Sequence, residues 1–113
     1  MSSSHSNMLR GALDLLILKA VSHEPTHGYG ILEWLEKAVG AQVLVEEGTL
    51  YPALHRLEDK GWLAASWGLS ENNRRAKFYE VTEKGRERLA QEGREWSDFA
   101  QAVMGALDAP ARS

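Results

Sequence analysis

Residues 48–60 read Gly48-Thr-Leu-Tyr-Pro-Ala-Leu-His-Arg-Leu-Glu-Asp-Lys60, closed by Gly61, and the rest of the chain can be read outward from them. Leu50, Ala53, Leu54 and Leu57 recur at helical spacing and form one apolar stripe. Thr49, Tyr51, Pro52, His55 and Arg56 lie mostly off that stripe. The outer side therefore carries a hydroxyl, a phenol, an imidazole and a guanidinium, groups that can donate to phosphates or reach base edges. Lys60 suits a last turn, and Gly61 stands where a helix C-terminus favours a left-handed residue. Pro52 is tolerable only near the helix start, where amide groups lack intrahelical partners. The stretch predicts a short helix presented to something outside the protein. Taken alone, an ordinary amphipathic surface helix accounts for it equally well.

Upstream, Gln42–Val45 reads as a short extended link. A helix is predicted over 27–39, with Ile31, Leu32, Leu35, Ala38 and Val39 apolar and Gly40 as its stop. Gly28 and Gly30 are poor helix formers in its first turns. They either admit a close approach by another backbone or mark a loosely wound start. Pro25 ends the helix before, and Thr26 is a good N-cap for this one. The first helix is predicted over 8–22, apolar along Leu9, Leu13, Leu16, Ile17, Ala20 and Val21. Leu15 and Leu18 lie on a second side, which in so short a chain is expected to meet a partner subunit. Residues 1–7 read as a polar, disordered lead.

Downstream, 62–67 and 76–82 read as strands, with Leu63, Ala65 and Trp67 sharing one face of the first and Tyr79 and Val81 sharing one face of the second. The Asn-rich segment between them makes the pair a two-stranded β hairpin. Asn73, Arg74, Arg75 and Lys77 give its tip and second strand a basic character. Thr82 caps a last helix over 83–108. Leu89, Trp96 and Val103 fall seven residues apart there, and Phe99, Ala100, Met104 and Leu107 widen the seam. So long a helix has little local core to cover, so its seam is expected to dimerise; 109–113 is a tail.

A chain of 113 residues makes one domain, and a core this small gains from oligomerisation. The net charge of −3 weighs mildly against nucleic acid, although binding follows a local basic patch rather than the total. The absence of cysteine excludes disulfides and thiolate chemistry. The four histidines show no metal-ligand spacing, and no nucleophile–base arrangement or phosphate loop is present. Neither an enzyme nor a resident cofactor is expected. No stretch is long enough to span a bilayer, and Asp14 and Lys19 interrupt the apolar run 13–21, which reads as a core helix of a cytoplasmic protein rather than a signal-peptide core.

Three helices followed by a basic hairpin form the winged helix-turn-helix plan, mainly α, with 8–82 as the DNA-binding domain and a C-terminal dimerisation helix. In these segments the chain resembles the PadR-like transcriptional regulators: Leu13-Asp-Leu-Leu-Ile-Leu18, His27-Gly-Tyr-Gly-Ile31, Gly48 to Glu58, Lys60-Gly61, and Arg74-Arg-Ala-Lys-Phe-Tyr-Glu-Val-Thr-Glu-Lys-Gly85. These segments run from Leu13 to Gly85, and the resemblance extends over about residues 8–107. The resemblance implies a homodimeric DNA-binding repressor of the smaller, single C-terminal helix branch. It places Thr49, Leu50, Tyr51 and Pro52 at or near DNA, Tyr51 foremost. Arg74, Arg75 and Lys77 match the basic wing, although Ala76 stands where the family often has another basic residue. Trp96 is either an aromatic anchor of the dimer seam or, by the same resemblance, part of a cavity between subunits for a flat aromatic effector.

Two functional readings follow. In the first, a repressor grips a palindromic operator on double-stranded DNA through Thr49, Leu50, Tyr51, Pro52, His55, Arg56 and the wing, and a small-molecule or stress signal releases it. In the second, a winged-helix module serves protein interaction or structural dimerisation without DNA. Salt dependence separates them, because phosphate neutralisation releases counterions.

Overall fold

The apolar stripe of the 48–60 stretch is the centre of the core. In the computed structural model, which describes residues 2–40 and 45–112 with side chains from residue 11 onward, Leu50, Ala53, Leu54 and Leu57 are all buried. They lie on α3 (Glu47–Asp59), preceded by α1 (Ser2–Ala20), β1 (Thr26–His27) and α2 (Gly28–Val39). β2 (Leu63–Leu69), β3 (Arg75–Val81) and α4 (Glu83–Asp108) follow. Leu13, Ile17 and Leu18 of α1, Val21 just after it, and Ile31 and Leu35 of α2 meet the stripe, and Leu63, Tyr79 and Val81 close the core from the sheet.

Several boundaries differ from the expected ones. α1 begins at Ser2 rather than near Met8, so the polar lead continues the helix; adding residues to a formed helix is far easier than nucleating one. The expected link at 42–45 lies mostly outside the described residues. The sheet has three strands, not two, in the order β1-β3-β2, all antiparallel. Thr26 and His27 pair with Tyr79 and Phe78. That pairing draws Thr26 into the sheet, and the cap of α2 passes to His27, whose Nδ1 accepts from the Gly30 amide at 3.1 Å.

The termini are otherwise built from expected parts. Gly61, at φ 79°, takes the left-handed turn that frees the chain from α3 into β2. Thr82 Oγ1 accepts from the Gly85 amide at 3.0 Å and donates to the Gly61 carbonyl at 2.6 Å, joining the root of α4 to the end of α3. Gly85 packs against the Trp62 carbonyl and Val81, where a Cβ would clash.

Candidate nucleic-acid interface

Turning the stripe of α3 into the core leaves Thr49, Tyr51, Pro52 and His55 exposed on its other side. Tyr51 is 40% exposed and is held from beneath by α2. A Cβ on Gly28 would lie 2.8 Å from Cε1 and Cζ of the Tyr51 ring, so the close approach anticipated at this glycine is made by a side chain. Pro52, inside the helix, cannot donate to the Gly48 carbonyl, and Gly48 is exposed to water instead.

The hairpin flanks this surface. Its register sets Trp67 opposite Lys77 and Leu69 opposite Arg75, on the same face as the core-packed pairs Leu63–Val81 and Ala65–Tyr79. That face covers the core at its base and emerges toward the tip to become one wall of a groove. Tyr51, His55, Tyr29, Trp67, Arg75 and Lys77 line a concavity of about 440 Å³ there. Asn73, at φ 61°, makes the turn, and Arg74 and Arg75 are exposed beside it.

Three residues expected at the interface are engaged elsewhere. Leu50 is fully buried and offers DNA nothing, because its place in the apolar stripe points it inward. Arg56 pairs with Asp14 of α1, Nη2 to Oδ1 at 2.5 Å, with the Asp14 side chain buried and that of Arg56 only 26% exposed. It fastens α3 to α1 instead of reaching outward. Lys77 reaches Glu58 Oε1 at 3.3 Å and lies over the Tyr79 ring. Desolvation pulls the Lys77 pKa down, but the hydrogen bond to Glu58 and the nearby charges of Tyr79 and Glu58 outweigh it and hold it above the ordinary 10.5. Burial pushes the Tyr79 phenol above its ordinary 10.0, and the Lys77 charge opposes this only in part.

Two groove residues escaped the sequence reading: Tyr29, 64% exposed, and Trp67, 60% exposed. The guanidinium of Arg75 stacks over the Trp67 ring at 4.7 Å. The alternation of Leu63, Ala65 and Trp67 names the face, but not the point at which that face leaves the core.

A family model described as the transcriptional regulator PadR-like family matches residues 17–91, from the last turn of α1 into α4. The chain belongs to the PadR-like family. It is 33% identical over 97 residues to transcriptional regulator Rv3488 of Mycobacterium tuberculosis, across 85% of this chain and 86% of that protein. Its fold is similar to that of a PadR-like transcriptional regulator from Bacillus cereus, with TM-score 0.80 and 29% identity over 92% of this chain and 99% of that one. A PadR family transcriptional regulator from Eggerthella lenta superposes with TM-score 0.76 and 29% identity over 96% and 94% of the two chains. The protein is thus a PadR-like winged-helix transcriptional regulator, not an enzyme.

Away from the groove, this PadR-like regulator leaves the far half of α4 uncovered. Every described residue after Trp96 is exposed, including Phe99, Ala100, Val103, Met104 and Leu107. Trp96 is half-buried and meets Phe99 edge to face at 6.4 Å. Leu18, expected at a subunit contact, is instead fully buried in the core of its own chain, since α1 is covered by α2, α3 and α4. Leu89 likewise packs on that core, and Leu15 is half-buried. No helix among the described residues is long and apolar enough to cross a membrane.

Proposed function

We propose that this PadR-like regulator is a cytoplasmic, homodimeric repressor that binds a palindromic operator on double-stranded DNA. One observation carries the reading. The outer side of α3 and the exposed Arg75 of the wing line one groove, and Arg74 is exposed beside it at the turn. In that arrangement Thr49, Tyr51, Pro52 and His55 enter the major groove, where Tyr51 and His55 meet base edges or phosphates. Arg74 and Arg75, with Asn73 at the turn, neutralise flanking phosphates, which adds affinity and little sequence choice. Lys77 joins them only by giving up Glu58.

The apolar far half of α4 supports pairing with a second copy through Trp96, Phe99, Ala100, Val103 and Leu107, which would bring two heads to two half-sites. Trp96 and Phe99 also offer aromatic faces to a flat effector held between subunits. Such a ligand releases DNA only by binding two dimer arrangements unequally.

Fluorescence anisotropy with duplex from the gene's own upstream region, over a series of salt concentrations, tests the DNA reading. Wild type is expected to bind with a steep salt slope, Arg74→Ala/Arg75→Ala to flatten it, and Tyr51→Ala to bind more weakly while remaining folded. Failure of folded wild type to bind even random duplex at low salt would replace this reading with a protein-interaction module. Sedimentation of Val103→Glu/Leu107→Glu is expected to show monomer where wild type shows dimer.

A further inference from the structure

Resting on the DNA-binding reading above, we infer that Trp67 is a positioning residue that holds the Arg75 guanidinium in the groove, ready to meet a backbone phosphate. The cations of the wing are not equivalent. Lys77 is engaged by Glu58, whereas Arg75 forms no ion pair among the described residues and has only the Trp67 ring as its partner. Arg74, at the turn, has no such ring.

The indole is 60% exposed, so core packing explains little of it. Its strand register points it into the groove that Tyr51 and His55 share. An arginine has a long, rotamer-rich side chain, and a free one must be ordered when it meets phosphate. Stacking on an indole removes much of that disorder beforehand and leaves the edge of the guanidinium, with its N–H donors, open to an oxygen ligand. Leu69, opposite Arg75 and itself exposed, lines the same face and offers no competing acceptor.

Two measurements test this. The first is NMR of the free protein, comparing the Arg75 side-chain protons of wild type and Trp67→Ala. Upfield ring-current shifts present in wild type and lost in the variant are expected; identical shifts would overturn the stack whatever the protein binds. The second is duplex affinity against salt for wild type, Arg75→Ala, Trp67→Ala, Trp67→Phe and the double alanine variant.

Arg75→Ala is expected to reduce the salt slope by about 1.8 for the dimer, the loss of one phosphate contact from each of its two heads. Trp67→Ala, which removes no charge, is expected to weaken binding about two- to five-fold, and the double variant to lose little beyond Arg75→Ala alone. Trp67→Phe, which keeps a ring, should recover most of the loss. A Trp67→Ala protein that binds like wild type, or whose loss adds in full to that of Arg75→Ala, would overturn the positioning role with DNA binding intact. A wild type that binds no duplex would overturn the DNA reading itself and this role with it.

Discussion

Gly28 of α2 and Tyr51 of α3 are packed so closely that the glycine can carry no side chain without moving the phenol. A Cβ there would lie 2.8 Å from two atoms of the tyrosine ring. The obstructing atoms belong to the far end of a half-exposed side chain, which can swing outward. Gly28→Ala is therefore expected to cost little stability, about 1 kcal/mol or less by urea unfolding, while displacing Tyr51. Its duplex affinity should fall toward that of Tyr51→Ala, and combining the two should add little. An alanine variant with wild-type affinity would mean that the placement of Tyr51 does not matter to binding.

Gly85 gives the opposite balance. Helix propensity alone predicts a gain of about 1 kcal/mol for Gly→Ala within a helix. Here the added methyl would meet the Trp62 backbone carbonyl and Val81 Cγ2, and a carbonyl tied into the sheet and the α4 cap cannot swing away. Gly85→Ala should lower stability by about 3 kcal/mol, read from the midpoint of chemical unfolding. A stabilised variant would show that the α4 root yields more easily than this contact implies.

The Asp14–Arg56 pair joins α1 to α3 across a half-buried boundary. Asp14→Ala should cost about 1–3 kcal/mol, less than for a fully buried pair because water still reaches the guanidinium. Arg56→Ala should be similarly destabilising, and the double variant should cost clearly less than the sum. Strict additivity in that cycle would mean that the pair contributes nothing as a pair.

Alkaline pH should loosen the wing. Tyr79 and Lys77 both have folded pKa values above the ordinary 10.0 and 10.5. Each group loses its proton from the unfolded chain first, so its contribution is complete below those values and lost as pH rises through the raised ones. Stability should hold as pH approaches 10 and fall beyond it. Ultraviolet titration should show one of the three tyrosines ionising late, and Tyr79→Phe should remove that late phase. Its survival in the variant would reassign it to Tyr29 or Tyr51.

What could be read in the sequence, and what could not, follows from the range of each interaction. The α3 stripe, the Gly61 turn and the Thr82 cap are local patterns, written within a few residues, and the structure contains all three. The burial of Leu50 was legible in that same stripe; the resemblance to a DNA-contacting motif overrode it. Arg56 could not be read, because its partner lies 42 residues away and nothing near either residue marks the pairing. Lys77 with Glu58 and Trp67 with Arg75 depend on how the hairpin lies against α3 and on its register. β1 has two residues, too few for any alternation to register.

The wedge at Gly85 and the Thr82 bonds have a mechanical consequence. α4 has 26 residues, and the molecule extends 65 Å along its long axis against 29 and 26 Å across. A helix of that length reaches about 39 Å, so a swing of about 5° at its root would carry its tip through roughly 3 Å. Gly85, the Thr82 bonds and the packing of α4 on α1 fix the angle at which that lever leaves the head. The stiffness of that root sets how accurately one head can be aimed relative to whatever holds the far end.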